Sequence, residues 1–395
     1  MPLALGLCWS SAALAQQAAP PVSVYADIRY RLEVVDQADL PDTATASTLR
    51  VRAGVKTREW HGLSAVVEGE AIAVLGKASY NDTVNGKTNF PVVADPADVL
   101  LNQAYLRWRP DPRFELTAGR QAVNYDNQRW IGSVGWRQND QTLDAVRVAA
   151  KPFKGVAVDY VYAWRVNRVF GPDSPQGIWH DTAIHGLRAS YTIKNIGTLS
   201  GYGYWLDVPS SPASSSRTLG ARITGEHAVG KGYALLYAAE YARQQDFGAN
   251  PRTFALNYWL VEPGIKAGPV TTRLGFERLE GNGTAALQTP LATLHAFNGW
   301  ADKFLTTPAN GLRDLYVDAS FKVPGKGPLA GLTLRGAWHD FNSTRLGIGY
   351  GQEWDALVSY PLTKQIGLTA KFARYDAQAF AADTTKAWFQ IEAKF

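Results

Sequence analysis

Apolar and polar residues alternate one by one over most of this chain. In VSVYADIRYRLEV (22–34), Val22, Val24, Ala26, Ile28, Tyr30 and Leu32 share one face, and Asp27, Arg29, Arg31 and Glu33 share the other. In TLRVRAGVK (48–56), Leu49, Val51, Ala53 and Val55 oppose Arg50, Arg52 and Lys56. The pattern returns in LRASYTIK (187–194), TLRGAWHD (333–340), EWDALVSY (353–360) and GLTAKFARY (367–375). A period of two at this length predicts strands, because successive side chains of a strand point to opposite faces.

About eighteen such segments follow one another, near 22–34, 47–59, 62–75, 99–109, 112–121, 142–151, 155–165, 184–194, 197–207, 217–229, 232–244, 253–262, 268–280, 312–323, 331–342, 349–360, 364–376 and 385–395. Short links such as 109–113, 194–197 and 229–232 alternate with long ones at 76–98, 122–141, 166–183 and 281–311. Short turns at one end and long loops at the other predict an all-β transmembrane antiparallel barrel, with periplasmic turns and extracellular loops. Aromatics near strand ends, among them Tyr25, Trp60, Trp108, Phe153, Trp164, Phe321 and Tyr360, fit interfacial girdles.

The ends of the chain extend this picture. MPLALGLCWSSAALAQQ closes an apolar stretch with Ala13-Leu14-Ala15, which reads as a secretory signal over 1–15 cleaved before Gln16. A basic n-region is missing from it. Its Cys8 is the chain's single cysteine, and Leu7 before it speaks against lipidation. The mature chain, 16–395, is expected to be one barrel domain with no disulfide and no thiolate site. At the other end, KAWFQIEAKF alternates to an aromatic last residue, Phe395, as in terminal strands read by the outer-membrane assembly machinery.

Composition excludes several classes. No segment of the mature chain reaches the roughly 18–20 apolar residues of a membrane helix. The formal charge of +5 is spread evenly, without the Lys/Arg runs that bind nucleic acid. No cofactor or metal motif is present. His180 and His185 lack a third ligand, and GSVGWRQN lacks the ending of a phosphate loop. An outer-membrane hydrolase would need a Ser–His pair, yet none of His61, His180, His185, His227, His295 and His339 lies in a nucleophile motif.

If the apolar face meets lipid, the charged face lines an aqueous lumen. Parity sends Arg29, Arg31, Arg50, Arg52, Lys56, Arg107, Arg109, Arg147, Arg165, Arg188, Arg222, Arg273, Arg335 and Lys371 inward, with Asp27, Glu33, Glu68, Glu70, Glu240, Glu277, Asp318, Glu353 and Asp355. The surplus of cations predicts a positive lumen favouring anions.

One stretch stands apart, GRQAVNYDNQRWIGSVGWRQNDQTLDAVRV (119–148), with Arg120, Arg129 and Arg137 among glycines, amides and tryptophans. Together with PLATLHAFNGWADKFLTTPANGLRDLYV (290–317), it resembles the alginate export family of outer-membrane proteins. The resemblance implies an eighteen-stranded monomeric barrel passing a polyuronate through an arginine-rich constriction. It points to Arg120, Arg129 and Arg137 with Asp126 and Asp144, and in the second run to His295, Asn298, Trp300, Asp302, Lys303 and Asp314. These join Arg50, Arg52, Arg107, Arg147, Arg165, Arg188 and Arg335 as expected pore-lining or loop-motif residues. A porin for small organic acids remains the alternative within transport. Polymer export would further need a periplasmic complex to deliver its cargo.

Overall fold

The computed structural model describes residues 21–395; the expected signal segment, its cleavage site and Cys8 lie outside the described residues. Nineteen strand elements follow in order: β1 (Val22–Gln37), β2 (Ala44–Thr57), β3 (Leu63–Val74), β4 (Asp98–Asp111), β5 (Phe114–Gln121), β6 (Thr142–Ala150), β7 (Val156–Asn167), β8 (Ile178–Trp179), β9 (Ala183–Ile193), β10 (Gly197–Asp207), β11 (Ser216–Gly230), β12 (Tyr233–Asp246), β13 (Ala255–Ala267), β14 (Val270–Leu279), β15 (Leu312–Lys322), β16 (Thr333–Asn342), β17 (Gly349–Pro361), β18 (Ile366–Ala377) and β19 (Thr384–Lys394). The two-residue β8 pairs only with the end of β7, while β7 pairs directly with β9. The other eighteen strands each pair antiparallel with the next, and β1 pairs with β19 from Asp27↔Lys394 to Gln37↔Thr384. At the seam, the Phe395 amide donates to the Ala26 carbonyl at 2.9 Å and the Ala26 amide returns the bond at 3.1 Å.

Closure satisfies the backbone around the ring, so the outer face needs only apolar side chains. That face carries Val24, Val99, Leu106, Phe153 and Trp354, all exposed. No helix among the described residues is long and apolar enough to cross a membrane; the crossing is made by strands. Trp60, Trp108, Phe153, Trp164 and Phe321 lie exposed near strand ends, where the girdle was expected. Tyr25 does not join them. It shares the inward face with Asp27, opposite Gly54, and its ring covers the space a Gly54 side chain would need.

The buried core lies inside the ring. The loops 122–141 and 280–311, both at the long-loop end, fold into the lumen and bury Val123, Trp130, Ile131, Leu291, Trp300 and Phe304 against Tyr204, Tyr258, Phe341 and Tyr375 of the wall. They hold each other as well as the wall. Ile131 and Leu291 form a parallel bridge, the Gly132 amide donates to the Leu291 carbonyl at 2.9 Å, and the Thr293 hydroxyl bonds Gln128 Oε1 at 2.6 Å. The loop 75–97 forms a smaller cluster, in which Tyr80 and Val93 pack against Val35, Ala44 and Ala46.

Candidate functional site: the charged lumen

Most of the wall residues that parity assigns inward lie on the lumen face, and most of those find partners there. Arg50 lies 2.7 Å from Asp27, Arg222 2.5 Å from Glu240 and Arg335 2.5 Å from Asp318. Arg147 bonds Asp159, and Arg107 donates to the Ser64 hydroxyl at 3.3 Å. The inserted loops supply further carboxylates that parity could not assign. Asp95 sits 3.6 Å from Arg31, Asp140 2.8 Å from Arg52, and Asp126 accepts from Arg188 at 2.6 and 2.7 Å. The loops bring cations of their own as well, among them Arg129, Arg137 and Lys303, so they add charge of both signs inside the ring.

The three arginines of the 119–148 stretch separate. Arg129 is fully buried, 2.8 Å from Glu277 with Asn298 at 3.0 Å, and its guanidinium lies over Phe297 at 4.7 Å. Burial alone would lower its pKa, but Glu277 and its neighbours raise it instead. Arg137 is buried among Glu33, Asp302 and Asp95 at 3.3, 3.0 and 3.9 Å.

Arg120 is a correction. It stands in register with Ala104, on the face that carries Leu106 and Leu116, so it points outward at the extracellular end of β5, where it pairs with Asp144 at 2.7 Å. Asp144 is outward too, because its neighbours Leu143 and Ala145 are the buried ones. Arg165 is a second correction. Between the inward Ala163 and Val166 the strand carries two outward residues, Trp164 and Arg165, and the register shifts between Asp144 and Ala145. Such a bulge reverses parity for the residues beyond it.

The second run forms the latch of its loop. Asn298 donates to Glu277 at 2.6 Å and to Asp314 at 3.1 Å. The Ala301 amide donates to Glu353 at 2.6 Å and the Trp300 amide to Asp355 at 3.3 Å. Gly299, at φ +82°, lies so close that a Cβ there would fall 2.4 Å from a Glu353 oxygen. Asp302 bonds His295 at 2.8 Å and Lys386 at 2.9 Å, while Lys303 donates to Gln37 at 2.7 Å. Lys371 on β18 is 2.6 Å from His295 and lies over Trp136 and Trp300 at 4.0 and 3.8 Å. Burial, with Lys371 adding to it, pushes the His295 imidazole down to about 3 despite Asp302. A neutral ring in that position donates from Nδ1 to Asp302 and accepts at Nε2 from Lys371.

Three cavities among the described residues are lined by charged lumen residues. An extracellular cup of about 250 Å³ carries Arg137, Arg168, His295, Lys303, Lys386 and Asp302 among apolar residues such as Val92, Phe170, Leu294 and Leu305. Burial lowers Arg168 to about 10, and burial with the nearby Lys386 lowers Lys303 to about 8. A central cavity of about 340 Å³ sets Arg222, Arg273 and Arg335 against Glu262, Glu277 and Asp318. Gly275 there leaves room for the Tyr316 ring in the opposite strand, whose hydroxyl reaches Glu262 at 2.5 Å. At the short-turn end, a cavity of about 420 Å³ carries Arg109, Arg113, Arg147, Lys151 and Arg188 against Glu115 and Asp159. Among the described residues, no group of three or more His, Cys, Asp or Glu is placed to hold a metal.

A closed antiparallel ring with an apolar outside and a charged, loop-filled inside defines an outer-membrane β-barrel transport channel. The sequence belongs to the alginate export family, whose profile matches residues 21–245. The first motif falls within that match and the 290–317 run lies beyond it. No curated protein matches the chain. Among solved structures, the fold is similar to Pseudomonas aeruginosa OpdK crystallised with vanillate (TM-score 0.73, 15% identity, 94% of this chain and 98% of that one). It is also similar to P. aeruginosa OccK9 (TM-score 0.74, 14% identity, 95% and 98%) and Acinetobacter baumannii OccAB2 (TM-score 0.74, 14% identity, 94% and 98%). At such identities these likenesses speak for the fold alone.

Proposed function

We propose that the barrel conducts small organic anions bearing a carboxylate. The observation that carries this reading is the charge at the two mouths. The cup presents Arg137, Arg168, Lys303 and Lys386 against one carboxylate, and the short-turn cavity presents five cations against two. Guanidinium groups meet carboxylates through two parallel hydrogen bonds, and cations at a mouth raise the local anion concentration. The central and short-turn cavities, about 340 and 420 Å³, fall in the lower range of small-molecule sites, about 300–1,000 Å³. The apolar wall of the cup suits a permeant with an apolar body, and vanillate in OpdK is an aromatic carboxylate of that size.

A polyuronate is the second reading, favoured by the family match over 21–245. It carries a carboxylate on every ring, and its passage requires the loops 122–141 and 280–311 to leave the lumen together. The channel acts as a monomer without catalysis in either case. In support, four of its six histidines bond tyrosine, carboxylate, lysine or backbone partners: His185 to Tyr160, His295 to Asp302 and Lys371, His339 to Asp314 and His227 to the Asn195 carbonyl.

Conductance of the reconstituted protein, blocked by benzoate-like acids or by oligouronates of increasing length, decides between the two. Block by small acids with no length dependence is expected. Block that deepens with oligouronate length would favour the polymer, and cation preference would remove both readings.

A further inference from the structure

The outer surface carries a feature that conduction does not use. One hydrogen-bonded row crosses five strands at their extracellular ends, Tyr241–Trp259–Arg278–Arg313–Asn342. Its side chains point away from the lumen, since Tyr258, Leu279, Leu312 and Phe341 beside them are the buried ones. The Tyr241 and Trp259 rings pack against each other at a tilt of 48° with centroids 4.4 Å apart, which sets this row at the height of an aromatic girdle.

Arg278 and Arg313 are direct cross-strand neighbours of like charge. Such a pair is destabilising unless an anion lies between the two guanidinium groups. Arg278 is 3.2 Å from Glu280, yet its Nε is buried without a hydrogen-bond partner. Arg313 is exposed and forms no side-chain hydrogen bond or ion pair among the described residues. Arg243, one row higher, is exposed and adds a third cation. Directly below, the next row holds Val261, Phe276 and Leu315, all exposed, and Val317 follows on β15. The nearest carboxylate in that lower row, Asp340, is bound by Asn342 and Gln352 at 2.6 and 3.3 Å.

We propose that this row binds the phosphate of an acylated glycolipid in the outer leaflet. The paired guanidinium forks take the phosphate oxygens, and the acyl chains run down the apolar column beneath. Cations above an apolar surface at membrane height match an amphiphile with its charge at the headgroup. They do not match a soluble anion, which gains nothing from the column.

The test uses the full chain in detergent micelles, with native mass spectrometry after addition of lipid A, of dephosphorylated lipid A, or of lipid A with excess inorganic phosphate. Lipid A is expected to remain bound, dephosphorylated lipid A to be lost, and the excess of free phosphate to leave the complex intact. The double variant Arg278→Gln/Arg313→Gln should lose at least five-fold in retention while conducting as the unaltered protein does, which shows that its barrel is formed. Equal retention by the double variant, equal binding of the dephosphorylated lipid, or displacement by inorganic phosphate overturns the proposal. A variant pair that fails to form a barrel is replaced by Arg313→Gln alone, with the same outcomes.

Discussion

Arg129 and Glu277 meet 2.8 Å apart across the lumen, one on an inserted loop and the other on β14, and Asn298 of the second loop bonds both. One contact thus ties two loops and the wall. All three residues are buried, so the charges compensate each other instead of drawing on solvent.

Removing one partner leaves the other charge buried and unpaired, at a cost of about 3–5 kcal/mol. Arg129→Ala or Glu277→Ala is therefore expected to lower the temperature at which the compact form is lost on gels. Single-channel conductance should rise as the loops loosen. Unchanged heat stability in both variants would show that the loops are held elsewhere.

Gly299→Ala tests the latch by shape alone. The new Cβ would meet a Glu353 oxygen at 2.4 Å in a backbone conformation that alanine rarely adopts. Larger and noisier conductance is expected. Gly135→Ala serves as the control, since a Cβ there meets nothing within 4 Å.

Charge reversal separates wall from rim. Arg147→Glu and Arg188→Glu lie in the basic cavity at the short-turn end and should reduce anion preference, read as a reversal potential in a salt gradient. Arg120→Glu and Arg165→Glu, on the outer face, should leave it unchanged. A loss at Arg120 equal to that at Arg147 would contradict the register described above.

The Lys303 ammonium, lowered to about 8 by burial and then by Lys386, carries a pH dependence. Its charge is present at pH 7 and lost as pH rises through 8, so anion preference should fall between pH 7 and 9. Asp302, Asp39 and Glu353 act on Lys303 in the opposite sense. Arg168, lowered to about 10, remains charged across that window. Lys303→Met should start at the lower preference and show no such step.

Alternation placed Arg29, Arg31 and Glu33 inside because a strand without bulges keeps its parity to the end. Arg165 escaped the same logic, as a single extra outward residue leaves no mark in composition. Arg120 is legible as outward, since Leu116 and Ala118 share its face of β5, whereas the motif resemblance groups it with the loop arginines beyond it. Asp95, Asp126 and Asp140 could not be paired from sequence. Their partners Arg31, Arg188 and Arg52 lie on strands far along the chain, and only the folded path of the loops brings them together.

The seam between Ala26 and Phe395 makes the wall a ring, and a ring offers no end from which to unravel. Each of the eighteen ring strands has two neighbours, so opening the ring anywhere exposes two rows of amides and carbonyls to hydrocarbon at once. The protein is therefore expected to lose its structure as a whole. A chain lacking β19 would be a sheet with two raw edges, prone to pair with whatever strand it meets.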